Sequence, residues 1–180
     1  MSTDTDSQVS AQDARLVALS RWAHAALTRA GVPQPDDYQL ASASDDASFR
    51  RYFRATNAAA ETYIFVDAPP EKEDTQAFVD IQSVLFAAGL RVPTLYQADP
   101  DLGFMMLSDF GDQLYLDLLQ TAVPQTVEHH YQAAINSLLQ MQQITMLDKL
   151  PVYDGQRLAT EMQLFPEWFL HTYLKLTLTP

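Results

Sequence analysis

Asp46-Ala47-Ser48-Phe49-Arg50-Arg51-Tyr52-Phe53-Arg54 alternates aromatic and basic side chains along an extended run. Successive side chains of a strand point to opposite faces. Phe49, Arg51 and Phe53 are therefore expected on one face, and Arg50, Tyr52 and Arg54 on the other. The strand is read as Phe49 to Thr56. Tyr38 to Ala43 reads as a shorter strand before it, which makes Ser44 to Ser48 the turn of a hairpin.

Thr62 to Val66 is β-branched, apolar or aromatic and ends firmly at Ala68-Pro69-Pro70, giving a third strand. Asp74 then caps a helix carrying Phe78, Ile81, Leu85 and Ala88, closed by Gly89 and kept from continuing by Pro93. Val92 to Gln97 and Gly103 to Leu107 supply two more strands around the turn Asp99 to Leu102. Upstream, Leu16, Leu19, Ala23, Ala26, Leu27 and Ala30 form the apolar face of a helix from Ser10 to Ala30, stopped by Gly31 and Pro33. The polar, acidic stretch 1–12 has the pattern of neither a signal peptide nor a membrane anchor and is expected to be a disordered lead-in.

Beyond Gln113 the pattern turns helical. Leu114 to Gln120 is one short helix, and Val127, Tyr131, Ala134, Leu138 and Met141 mark the stripe of a longer one. Glu161 to Leu174 is a further helix or helix pair, interrupted at Pro166. Short strands with tight connections require an antiparallel sheet, so the fold class is α+β. The domain reading is 13–107 for the sheet-bearing lobe, 108–112 for a connecting hinge and 113–180 for the start of a helical lobe.

Eleven Lys plus Arg against 23 Asp plus Glu give a formal charge of -12, which argues against nucleic acid or an anionic membrane surface as partner. Cysteine is absent, so thiolate chemistry and cysteine-ligated metal are excluded, and a reducing cytoplasm is the compatible compartment. A phosphorylated ligand would have to gather its few cations locally, which makes the position of each arginine informative.

Ser44, Asp45, Asp46, Ala47 and Ser48 are small enough for backbone N–H groups to approach phosphate oxygens. They include no glycine, and the two carboxylates oppose phosphate, so the pentapeptide alone reads as an ordinary polar turn. Arg50, Arg51 and Arg54 are either surface charges or cations for a phosphate. Glu167 and Trp168 are equally a sugar-binding pair and a helix-packing motif. His129 and His130 are adjacent, which rules out the i, i+4 spacing of a helical zinc site.

The stretch 46–54, together with Asp67-Ala68-Pro69-Pro70 and Leu164-Phe165-Pro166-Glu167-Trp168-Phe169-Leu170, resembles the aminoglycoside-phosphotransferase-like family of protein-kinase-like enzymes. Within it, the likeness is to bacterial kinases acting on the anomeric hydroxyl of N-acetylmuramate or N-acetylglucosamine in cell-wall recycling. It implies a kinase-like amino lobe, a five-stranded antiparallel sheet plus helix, followed by the first helices of a carboxy lobe. It implies ATP and an amino sugar as ligands, with nucleotide contacts from Ser44 to Ser48, Phe49, Arg50 and Arg51. The segment Leu107, Ser108, Asp109, Phe110 becomes the hinge that meets adenine, with Phe104 or Met106 near the ring, and Glu167 and Trp168 fall nearest the acceptor.

Family members also carry an H-x-D-x-x-x-x-N-like loop and a second acidic, metal-binding motif. No H-x-D-x-x-x-x-N pattern occurs in these 180 residues, and Asp109-Phe110-Gly111, which has the letters of a kinase metal-binding motif, follows the fifth strand with no such loop before it and is read as part of the hinge. The expectation is accordingly of no catalytic residue and no metal ligand here, of Mg2+ bound only with the rest of a carboxy lobe, and of a chain that does not turn over alone. Exposed apolar helices such as the one bearing Phe165, Trp168 and Phe169 invite self-association. The competing readings are a non-catalytic nucleotide-binding module and a protein-interaction domain.

Overall fold

The computed structural model describes residues 3–43, 49–145 and 152–176. Its centre is a five-stranded antiparallel sheet: β1 (Gln39–Ser42), β2 (Arg51–Thr56), β3 (Thr62–Asp67), β4 (Leu95–Asp99) and β5 (Phe104–Ser108), in the spatial order β1-β2-β3-β5-β4. The α+β class and the kinase-like lobe expected from the sequence are both present. The second strand starts at Arg51, so Phe49 and Arg50 lie in the connection that precedes it. Ser44 to Ser48 fall outside the described residues.

The alternation along β2 sorts side chains onto two apolar clusters. Phe53 and Ala55 join Phe65, Phe104 and Met106 beneath helix α1 (Thr3–Arg29), against Leu19, Ala23, Ala26 and Leu27. Trp22 lies over this cluster, its ring 6.2 Å from Phe65 and 5.8 Å from Phe104. On the opposite face Tyr52 and Ile64 pack with Val66, Met105 and Leu107 against Phe78 and Val79 of helix α2 (Thr75–Ala87). Phe104 and Met106, expected near an adenine ring, belong to the α1 face instead. Period-two geometry puts Met105 and Leu107 on the α2 side of β5.

Helix α1 begins at Thr3 and not at Ser10, so the stretch expected as a disordered lead-in is helical from Thr3 onward. The sequence between Thr3 and Arg29 contains no proline or glycine to break a helix. It closes as expected. Gly31 takes φ 72° and Val32 N donates to Leu27 O at 3.0 Å, a Schellman closure.

Helix α2 is capped as expected, the Asp74 carboxylate accepting from Ala77 N at 2.9 Å. Its buried positions are Thr75 and Gln82, the latter donating to Pro93 O at 2.9 Å. Ile81 and Leu85 line an open cleft of about 320 Å3 with Arg50, Phe78 and Pro93.

Two helices complete this unit. Helix α3 spans Tyr115–Thr121 and α4 spans Pro124–Gln142, and Gln140 Nε2 donates to Ala88 O at 2.6 Å, tying α4 to the end of α2. The expected α4 stripe is present in sequence, but Tyr131, Leu138 and Met141 are exposed among the described residues. The compact units divide at 143/144, whereas the sequence reading drew a lobe boundary at 108–112.

In the second unit α5 (Gly155–Leu164) runs into a π-helical segment, Phe165–Tyr173. Pro166 therefore changes the helix rather than ending it. A proline lacks the N–H of the regular ladder and crowds the carbonyl four residues back, and the wider i→i+5 winding relieves both. Phe165, Phe169 and Tyr173 stack in series, at 5.3 Å and 5.8 Å between centroids.

Candidate functional site

The three arginines of the opening motif go to different carboxylates. Arg51 lies opposite Asp67 in the β2–β3 register, and its Nε donates to Asp67 Oδ2 at 3.0 Å. Asp67 is fully buried, and its Oδ1 accepts from Arg15 Nε of α1 at 2.8 Å. The third strand carries Asp67 and no lysine between Ile64 and Ala68. The structure makes Asp67 the acid that joins α1 to β2 and β3, and Arg15, unremarked in the sequence, is its second partner. A signal was available: an acid ending an apolar strand, with alternation placing Arg51 on the same face.

Arg50 is directed to Glu73, just before the Asp74 cap, with Nε to Oε2 at 2.8 Å and its guanidinium 5.8 Å from the Phe78 ring centre. Next to it Phe49 is exposed, with Lys72 Nζ 5.3 Å from its ring centre. These contacts fasten Phe49 and Arg50 to the Pro69–Asp74 connection. A cation there is a chemically suitable neighbour for phosphate oxygens.

Arg54 faces the same side and extends to the segment after β5. Its Nε donates to Asp109 Oδ2 at 2.5 Å and its Nη2 to Asp109 Oδ1 at 3.2 Å, with a further bond to Asp112 Oδ1 at 2.6 Å. Asp109 is held below the usual carboxylate range chiefly by this hydrogen bond, with burial opposing and bonds from Gly111 N and the Thr62 side chain assisting. Arg54 binds its proton more tightly for the same reason.

The residues expected to form a hinge lie at the end of β5 and in the turn after it. Leu107 is buried on the α2 face, and Ser108 ends β5 with its hydroxyl accepting from Thr94 N at 2.9 Å. Asp109 is clamped by Arg54, and exposed Phe110 lies under the guanidinium of Arg91 at 5.5 Å from the ring centre. Asp109-Phe110-Gly111 has the letters of a kinase metal motif, but its carboxylate is already neutralised by a cation. Among the described residues no group of three or more His, Asp or Glu is placed to hold a metal ion.

Glu167 and Trp168 sit in the π-helical segment of the second unit, with Trp168 about two-thirds exposed. Among the described residues no helix is long and apolar enough to cross a membrane.

Comparison with known proteins agrees with the fold. The profile of the phosphotransferase enzyme family matches residues 39–180. The chain is 37% identical over 166 residues to an N-acetylmuramate/N-acetylglucosamine kinase of Pseudomonas aeruginosa, covering 90% of this chain and 48% of that protein. It is 40% identical over 140 residues to the protein of the same name in Pseudomonas putida, covering 78% of this chain and 40% of the relative. For the Neisseria meningitidis relative of that name, identity is 35% over 144 residues, covering 79% and 42%. The chain thus spans about half the length or less of these curated relatives. With the kinase-like sheet order in place and the family profile matched over most of its length, this chain belongs to the phosphotransferase enzyme family.

Proposed function

We propose that this chain is the nucleotide-holding portion of an ATP-dependent amino-sugar kinase, acting in the cytoplasm on the anomeric hydroxyl of N-acetylmuramate or N-acetylglucosamine during cell-wall recycling. The observation that carries this reading is the α2 face of β2, β3 and β5. Tyr52, Ile64 and Leu107 make an apolar floor there, bounded by Arg50 at the hairpin and by the 107–110 segment at the other end. A floor of that composition suits a purine ring, and a cation at one end suits the triphosphate. The names of the relatives support the acceptor.

In this reading the base lies along the backbone of Leu107, Ser108, Asp109 and Phe110, and the phosphates lie toward the turn 44–48, Phe49 and Arg50. Arg51 belongs to the opposite face and contributes through the sheet. Magnesium would neutralise the phosphates in such a reaction. Asp109 and Asp112, engaged by Arg54, do not fit as its ligands, so its carboxylates belong to other residues. Glu167 and Trp168 offer a carboxylate and an exposed aromatic ring for an acceptor sugar, and the exposed Phe165 and Phe169 beside them form a surface for self-association.

Calorimetric titration of the chain with ATP tests the nucleotide half of the reading. An ADP-release assay with N-acetylmuramate, on a product spanning the relatives' full length, tests the rest. Binding followed by turnover is expected. Binding without turnover in the full-length product would favour a non-catalytic nucleotide module, and no binding at all would leave a protein-interaction domain.

A further inference from the structure

Arg54 sits opposite Ile64 on β3, and Ile64 sits opposite Leu107 on β5. To reach Asp109 its side chain must therefore cross from β2 past the β3 position to the segment that leaves the sheet. There it meets a carboxylate whose side chain is 5% exposed and a second one, Asp112, at the far end of the same segment. Asp109 Oδ1 also accepts from Gly111 N at 2.8 Å, so one carboxylate closes the turn from inside while the guanidinium holds it from outside. Gly111 takes φ 79°, the left-handed conformation this turn requires.

We propose that Arg54 is the positioning residue for base recognition: it fixes the 108–112 segment so that the main-chain groups of Asp109 and Phe110 meet the edge of a purine nucleotide, and it offsets one of the two negative charges that Asp109 and Asp112 place there. The inference rests on the nucleotide reading above. A guanidinium is suited to the task because its planar fork serves both oxygens of Asp109 and still reaches Asp112. A lysine offers a single point charge.

The test is calorimetric titration of the wild-type chain and of Arg54→Ala, Arg54→Lys and Asp109→Asn with ATP and with GTP. Loss of a charge-assisted clamp should weaken ATP binding by about tenfold in Arg54→Ala, with the ATP-over-GTP preference falling toward unity. Arg54→Lys should recover part of both. A merely structural role lowers the two affinities together, so an unchanged preference in folded Arg54→Ala overturns the inference. If circular dichroism shows that Arg54→Ala is unfolded, Asp109→Asn decides: a reduced preference supports the proposal and an unchanged one overturns it. A wild type that binds ATP and GTP equally overturns the inference and leaves the nucleotide reading standing. A wild type that binds neither overturns both.

Discussion

Arg51 and Asp67 are joined twice, as register partners across the β2–β3 ladder and through their side chains, where Arg51 Nε meets Asp67 Oδ2 at 3.0 Å. Arg15 completes the arrangement from α1, and its Nη2 also donates to Leu102 O at 2.9 Å at the β4–β5 turn. One buried carboxylate thus links the helix, the second and third strands and, through Arg15, a turn at the other end of the sheet.

Asp67→Ala should therefore destabilise the protein by about 2–4 kcal/mol, because both guanidiniums lose their buried acceptor. Each keeps roughly a quarter of its side-chain surface in water, which holds the loss near the lower end of that span. Urea denaturation checks it, and a change under about 1 kcal/mol would remove the network from the stability account.

Arg50 and Arg51 should separate cleanly when each is changed to alanine. Arg50→Ala is expected to weaken ATP by about tenfold while leaving adenosine affinity nearly unchanged, since a phosphate contact is lost. Its ion pair with Glu73 is partly exposed, so the stability cost stays within about 1 kcal/mol. Arg51→Ala should show the reverse, a lower denaturation midpoint with an unaltered ratio of ATP to adenosine affinity. Calorimetry with both ligands distinguishes the two outcomes.

Gly103→Ala is expected to cost at least about 2 kcal/mol. An added Cβ would stand 1.8 Å from Ala68 O, and φ at this position is 73°. The main chains here are in direct contact, with Ala68 N donating to Gly103 O at 2.8 Å, so the clash is with backbone that cannot rotate away. Thermal melting of the variant should fall by several degrees, on the order of 5 °C or more for a domain of this size.

Asp109 gives stability a dependence on acid. Its folded pKa lies below the ordinary 3.8, first because of the Arg54 hydrogen bond. The contribution is complete above that ordinary value and is lost progressively as pH falls from there through the depressed folded value. Asp109→Asn should lower stability at neutral pH and flatten the slope of stability against pH below about 4. Denaturation midpoints of both proteins across pH 2 to 6, roughly the carboxylate range, provide the measurement. Parallel slopes would count against the assignment.

Much of this architecture was legible because local rules agreed. Gly31, Asp74 and Gly89 punctuate helices where the sequence placed them, and Ala68-Pro69-Pro70 ends β3 as read. The two faces of β2 followed from alternation alone. What alternation does not disclose is which acid an arginine finds, since Glu73, Asp67 and Asp109 come together with their partners only once the strands are in register. The early start of α1 was missed because an acidic, polar run reads as solvated chain. Pro166 was read as an interruption because only three-dimensional winding reveals the π-helical alternative. The turn 44–48, on which the nucleotide reading leaned most, lies outside the described residues.

Odd and even positions along β2 serve different sides of the sheet, Arg51 anchoring α1 and Arg54 restraining the departure from β5. Replacement of single residues along this ribbon is locally contained. Inserting or deleting one residue between them reverses the facing of everything on one side of the change, sending an anchor into the wrong cluster. A change of length is better accommodated in the loops on either side of the strand.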